Sequence, residues 1–151
     1  MNEIQDPLNV SVELAGVETT MPLLPAAIYQ FQVIESAVAP NKDNTGRNWN
    51  LKLALINPAT AVDGREIKPN FPVYHILALQ AKADSKDPDA FRRSLGETVD
   101  ALLGTTKENR PNLTGTIISE AVGKIVSAHI AIDEYQGRHS NKVKRLEAFV
   151  G

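Results

Sequence analysis

The chain has 151 residues and a mass of 16.4 kDa, close to the commonest size of a single domain, which argues against two full domains. Hydrophobic residues make up 42% and charged residues 23%, a globular composition that excludes disorder as the main state. The formal net charge of -2 excludes a polycation, so any nucleic-acid binding must come from a local basic patch.

The chain contains no cysteine, which excludes disulfides, thiol nucleophiles and zinc sites built on thiolates. We therefore expect neither a metal nor a cofactor. No apolar run approaches the roughly 20 residues that span a bilayer, and the N-terminus lacks the pattern of a leader sequence. These features predict a soluble protein of the cytoplasm with no membrane partner.

Residues 1–27 are predicted to form an extended N-terminal arm. The arm has four acidic residues and no basic ones, and its prolines interrupt any long helix. Within the arm, Val10, Val12 and Leu14 alternate with polar residues, which indicates a short extended piece.

Two strands follow, over residues 28–38 and 48–57. Leu51, Leu53 and Leu55 alternate with polar residues, as the period of 2 in a strand requires, and Trp49 shares their face, which favours a core position for its ring. The turn-rich residues 39–47 between them predict a long hairpin.

The middle of the chain changes from strand to helix periodicity. Residues 73–79 predict a third strand, and residues 87–104 predict the only helix, with Asp87 as its cap, Pro88 at its first position and Gly104 past its end. Residues 105–123 read as a polar connection with a short apolar piece at Ile117 and Ile118.

The last part of the chain returns to strand patterns. We predict strands over residues 124–135 and 142–150, joined by a turn at 136–141. The order of three strands, one helix and two strands is that of the oligonucleotide/oligosaccharide-binding (OB) fold, a partly open five-stranded barrel with the helix between strands 3 and 4. Other small α+β folds share parts of this order. The sequence therefore predicts a mainly β OB-fold domain over residues 28–151.

The sequence contains no recognisable arrangement of catalytic groups. The serine motif GxSxG, the phosphate loop GxxxxGK[ST], the dinucleotide motif GxGxxG and the metal motif HExxH are all absent. His75 and His129 fall inside predicted strands, where packed or hydrogen-bonded histidines are common, and His139 falls in a turn. We expect no catalytic residues and no enzymatic activity.

Basic charge is concentrated near the end of the chain. Residues 124–145 carry five basic and two acidic residues, and YQGRHSNKVKR at 135–145 combines an aromatic ring, a glycine turn and four cations. Single-stranded nucleic acid is bound by this combination, because cations neutralise phosphates while rings stack on bases. A cationic hairpin is also common on proteins that bind no nucleic acid, so these residues alone fit a solvated surface as well.

Other candidates fall on the elements that form the binding cleft of an OB barrel. Cations occur in the first hairpin and on the second strand, and Tyr74 and Tyr135 are the preferred stacking rings. The predicted nucleic-acid site consists of Lys42, Arg47, Lys52, Tyr74, Tyr135, Arg138, Asn141, Lys142, Lys144 and Arg145.

The segments LLPAAIYQFQVIES, WNLKLAL, DGRE, SLG and IAIDEYQGRHSNKVKR follow one another between residues 23 and 146. Together they resemble the small single-stranded DNA-binding proteins of bacteriophage replication and recombination modules. The most specific part of this resemblance is formed by Tyr135, Gly137, Asn141, Val143, Lys144 and Arg145. It implies an OB barrel, and it implicates this ending and, less directly, residues 42–47 in binding.

The resemblance implies a protein that coats and protects single-stranded DNA, with replication or recombination proteins as further partners. Members of that family often end in an acidic tail that recruits such partners, whereas this chain ends in LEAFVG. The acidic arm is the candidate for that role here. The alternative is a phage structural or assembly protein that uses a β-domain and the arm. Association into a homo-oligomer through strand edges is compatible with both, and no residue selects a dimer over a tetramer.

Overall fold

The structure, a computed structural model, describes residues 7–149. Five long strands account for most of it: β1 (Ala27–Pro40), β2 (Arg47–Leu55), β5 (Pro72–Ala78), β6 (Ile125–Tyr135) and β7 (Arg138–Ala148). The remaining elements are short strands β3 (Ala59–Thr60) and β4 (Glu66–Ile67), helices α1 (Ala90–Leu103) and α2 (Gly115–Glu120), and a 3-10 turn at Pro7–Asn9. No strand forms at residues 10–14, where the alternation predicts an extended piece.

The long strands form one antiparallel sheet in the order β5-β2-β1-β6-β7, and β3 pairs with β4 in a separate ladder. The predicted mainly β class is thereby confirmed. Strand β1 lies at the centre and pairs with β2 along its second half and with β6 along its first half. It needs its 14 residues to reach both neighbours.

The predicted OB-fold barrel is not confirmed, because the sheet formed by the described residues does not close on itself. Closure would require hydrogen bonds between the edge strands β5 and β7, and no such ladder joins them within residues 7–149. Their Cα atoms nevertheless come within 8 Å of each other. The sheet therefore curves until its edges approach and leaves a gap between them.

The helices differ from the prediction of one helix over residues 87–104. Helix α1 begins at Ala90, and Asp87 does not cap it, since its carboxylate pairs with Arg93 and accepts from Asp89 N ahead of the helix. Gly104 does end α1, in the left-handed region at φ 70°.

A second helix, α2, forms where a polar connection was expected. The hydroxyl of Thr114 accepts from Ile117 N and caps its start. In the part of the chain from residue 7 to residue 149, no helix is both long and apolar enough to cross a bilayer.

The core fills the concave side of the sheet. Trp49 is fully buried, as its place on the same face as the leucines of β2 predicts, and its Nε1 donates to Ser36 Oγ at 2.8 Å. Phe31 and Leu24 are also fully buried, and Ala101 and Leu102 bring α1 onto the same core. A register shift between Val33 and Glu35 lets β1 bend around this core.

The β6–β7 hairpin is tighter than predicted. Its turn is only Gln136 and Gly137, both with positive φ (53° and 79°), as in a two-residue hairpin turn of type I′. Residues 138–141, predicted as turn, therefore belong to β7. This places Arg138 and Asn141 on the edge strand beside the gap.

Candidate nucleic-acid interface

A groove separates the two edge strands of the sheet. It consists of two adjoining clefts of about 680 and 910 Å³, which share Tyr74 on β5 and Ser140 and Asn141 on β7. Because β5 and β7 are distant in sequence, the groove exists only where the folded sheet brings its edges together.

The first cleft lies between residues 74–78 of β5 and residues 140–144 of β7, and the start of α1 also lines it. Its cations are Lys82, Lys142 and Lys144, and none of them forms a salt bridge with any residue that the structure describes. Its carboxylates are Asp133 and Asp87, and Asp87 is paired with Arg93. The first cleft therefore has more free positive than free negative charge.

The second cleft continues the groove toward the β6–β7 turn and is lined by residues 19–23 of the arm. Arg65 lies in it but is engaged, since its Nε donates to Asp63 Oδ2 at 2.8 Å and its Nη1 donates to Thr20 O at 2.9 Å. Arg138 is exposed and has no salt bridge among residues 7–149. Arg138 is therefore available to a phosphate at this end of the groove.

Tyr74 is the aromatic ring at the junction of the two clefts. Its side chain is 59% exposed although it lies in the middle of β5, because it points to the outer face of the sheet. Lys52 is its cross-strand partner, with Nζ 5.8 Å from the ring centroid and 3.6 Å from Glu35 Oε2. Lys52 thus sits beside the stacking surface, with Glu35 offsetting part of its charge.

The structure adds Ile76, which sequence reasoning missed. It is 61% exposed two residues after Tyr74, on the same outer face of β5, and it also lines the first cleft. The run VYHILAL is almost continuously apolar, so its sequence does not separate outward from inward positions. Knowing the register with β2 would have found it, because Ile76 pairs with the polar Asn50.

A β-bulge redirects the basic residues of β7. Val143 pairs with Ile130 and Arg145 pairs with His129, so Lys144 is the extra residue between them. The alternation of the strand breaks at this point, and Lys144 lines the first cleft together with Lys142.

Asn141, a predicted nucleic-acid contact, holds the arm. Its Oδ1 accepts from Leu24 N and its Nδ2 donates to Leu24 O, both at 2.9 Å. Val62 N also donates to Leu23 O at 2.9 Å. The arm is therefore fixed along the second cleft, and the amide of Asn141 is occupied.

The predicted residues Lys42 and Arg47 lie at the β1–β2 turn and are exposed. This turn is tied to the groove through Gln80, which lines the first cleft and accepts from Arg47 N at 2.8 Å. Gly46 allows the approach, since a Cβ there would lie 2.4 Å from Gln80 Cδ. The two cations thus belong to the end of the groove next to Ala78, although they do not line it.

The remaining two predicted residues lie apart from the groove lining. Tyr135 is 71% exposed at the tip of the β6–β7 hairpin. Arg145 donates to Glu147 Oε1 at 3.3 Å and faces a separate hollow against α1. The groove therefore brings together five of the predicted residues: Tyr74, Arg138, Asn141, Lys142 and Lys144.

The histidines are placed as strand residues. Burial lowers the pKa of His75 to about 4, so its imidazole is neutral at pH 7 beside Lys142 and Lys144 in the first cleft. His129 Nε2 lies 2.7 Å from Glu147 Oε1, in a hydrogen bond between β6 and β7. Across residues 7–149, no three His, Asp or Glu side chains form a group that could hold a metal ion.

Comparison with known proteins does not place the chain in a family. No protein-family model matches the chain, and no curated protein matches its sequence. The assignment of function therefore depends on the groove and the residues that line it.

Proposed function

We propose that this protein binds single-stranded DNA without strong sequence preference and protects it during phage DNA replication or recombination, in the cytoplasm of the host cell. The DNA backbone runs along the groove between β5 and β7, and bases stack at Tyr74. The proposal involves no catalysis, metal or cofactor.

The distribution of unpaired cations is the observation that carries this proposal. Every arginine except Arg47 and Arg138 is paired with a carboxylate among residues 7–149. Arg138 lines the groove, and so do Lys82, Lys142 and Lys144, which are also without salt bridges in the described chain. Cations that lack protein partners are the ones that can release counterions on binding phosphates.

The exposed apolar surface supports a single-stranded ligand over a duplex. Tyr74 and Ile76 are both more than half exposed on the same strand, Tyr74 where the two clefts meet and Ile76 in the first cleft. A stacking ring needs an unpaired base, because the faces of bases inside a duplex are already covered by their neighbours. Every base has such a face, so the binding tolerates any sequence.

The test is fluorescence anisotropy of a labelled oligo-dT at salt concentrations from about 50 to 200 mM, with duplex DNA as competitor. We expect the Lys142→Ala/Lys144→Ala variant to lose about tenfold in affinity, and its plot of log K against log salt to flatten by about 1.4 for two lost contacts. The matched control is Lys107→Ala/Lys124→Ala, which removes two charges from outside both clefts.

Three results would overturn the proposal. Oligo-dT could fail to bind at low salt, duplex DNA could compete as well as single strands, or the control variant could lose as much affinity as the groove variant. Circular dichroism of both variants ensures that any loss is measured on folded protein.

A second candidate function is a phage structural protein that assembles through its arm. The observation in its favour is the exposure of apolar side chains along the arm: Leu8, Val10, Val12, Leu14, Val17 and Met21 are all more than half exposed. Assembly would cover them. Sedimentation without DNA tests this function, which requires a concentration-dependent complex that disappears when residues 1–18 are deleted.

A further inference from the structure

We infer that the groove has a second occupant within the same chain: residues 10–18 of the arm fold back into it and compete with nucleic acid. The competition rests on the proposed function, whereas the docking of the arm does not. Residues 10–18 form the outer part of the arm, the outer arm.

The anchoring of the arm places the outer arm next to the groove. Leu24 is fully buried and held by Asn141, and residues 19–23 line the second cleft. Arg65 reaches Thr20 O, and Thr20 Oγ1 donates to Glu18 Oε1 at 2.9 Å. The part of the arm that is held in place, residues 19–24, therefore lies along the wall of the groove.

The chain then reverses direction. Val17 N donates to Leu14 O at 3.2 Å, and Gly16 has a φ of 80°, which together form a tight turn. The residues before the turn are thereby directed back along the part of the arm that lines the second cleft. Residues 10–14 in extended form would span about 17 Å, the length of a five-residue strand.

The outer arm has an uncovered apolar edge that matches the apolar residues of the groove. Val10, Val12 and Leu14 alternate with Ser11 and Glu13, so an extended outer arm has one apolar and one polar edge. The apolar residues are 59%, 69% and 70% exposed and therefore lack cover. Ile76 and Phe91 offer apolar contact in the first cleft.

Charge also favours this occupant. The arm as a whole has four acidic residues and no basic ones, and the groove has its unpaired cations at Lys82, Arg138, Lys142 and Lys144. Glu13 and Glu18 provide carboxylates where a bound strand would provide phosphates. One set of cations can serve either ligand but not both at once.

The arm of the same molecule is favoured over the arm of a second copy. A segment joined by a short linker is present at an effective concentration in the millimolar range, far above the micromolar concentration of a second molecule. The linker here is residues 19–23, which are already in the groove.

Paramagnetic relaxation in the full-length chain tests the docking without DNA. Because the chain has no cysteine, Val12→Cys takes a single nitroxide label. We expect the label to broaden the amide signals of Ile76, Gln80, Lys142 and Lys144. The same labelled chain with Glu13→Lys and Glu18→Lys should lose this broadening, which separates docking by charge from chance proximity.

Two results would overturn the docking. One is the absence of broadening at the groove, and the other is equally strong broadening of an isotope-enriched chain without a label when labelled chain of natural isotopic abundance is added. The second result would mean that the arm enters a second copy.

Adding oligo-dT to the labelled chain then tests the competition. We expect the signals to recover as the arm leaves the groove, and we expect deletion of residues 1–18 to tighten dT binding about fivefold, if the arm covers the groove about four-fifths of the time. Oligo-dT that binds without restoring the signals would overturn the competition. Oligo-dT that fails to bind either form would overturn the proposed function, and the docking would still be decided by the first measurement.

Discussion

Asn141 satisfies both backbone polar groups of Leu24, accepting from its N–H and donating to its carbonyl, each at 2.9 Å. An amide side chain on β7 thus binds the arm as a neighbouring strand would. Since Leu24 is fully buried, these two bonds allow its backbone to leave water without a loss of hydrogen bonding.

We expect Asn141→Ala to destabilise the fold by about 1–3 kcal/mol, because it leaves the N–H and carbonyl of Leu24 unpaired. Urea unfolding measures this, with the exposed neighbour substitution Ser140→Ala as control. If Asn141→Ala weakened DNA binding while the free energy of unfolding stayed unchanged, Asn141 would be a nucleic-acid contact, as predicted from the sequence, and not an anchor.

Tyr74 should contribute to binding through its ring alone. We expect Tyr74→Ala to weaken dT binding by about 1–3 kcal/mol, the usual contribution of one base stacked on an aromatic ring, and Tyr74→Phe to retain most of the affinity. Anisotropy titrations of both variants check this. Equal losses in the two variants would mean that the hydroxyl, rather than the ring, is what the ligand contacts.

The stability of the protein should depend on His75 in mildly acidic solution. The unfolded chain takes up a proton on this residue near its ordinary pKa of 6.5, whereas burial holds the pKa of folded His75 at about 4. Between these values the unfolded state binds more protons, so stability falls as the pH is lowered through this window, by at most about 1.4 kcal/mol per pH unit.

Urea unfolding of the wild type and His75→Gln between about pH 4.5 and pH 7 isolates this effect, because the lowered pKa values of Asp63, Asp87 and Asp100 place their titration at lower pH. We expect the variant to show the flatter profile. Identical profiles would mean that His75 is protonated equally well in the folded chain.

The β6–β7 turn offers a substitution that should stabilise the protein. Gln136 has a φ of 53°, which asparagine tolerates better, and Asn–Gly is the favoured pair for this type of turn. We expect Gln136→Asn to stabilise the fold by about 0.5 kcal/mol and Gly137→Ala to destabilise it by about 1 kcal/mol. Thermal unfolding distinguishes the two signs, and a destabilising Gln136→Asn would contradict this account of the turn.

The strands could be predicted because, in most of them, apolar and polar residues alternate along the sequence. The alternation around Leu51 and Leu53 fixed both the strand β2 and the buried position of Trp49. The turn at 136–141 was predicted too long, because its polar residues are typical of loops although they form the exposed edge of β7. Barrel closure depends on how two distant edges meet, which no local pattern encodes.

The candidate site was predicted in part for the same reason. Residue type identified Lys142 and Lys144 as candidates, and it also selected Arg145, which is paired with Glu147. Whether a cation is free or paired depends on cross-strand neighbours and on breaks in alternation, such as the bulge at Lys144. The exposed Ile76 was missed because exposure follows from register.

The separation of β5 and β7 along the chain has a consequence for biosynthesis. During translation β5 emerges well before β7, and residues 79–137 must fold in between for the second wall of the groove to find its place beside β6. A nascent chain that has not yet exposed residues 138–144 has only half of the groove. The groove is therefore complete only after the last strand of the sheet has formed.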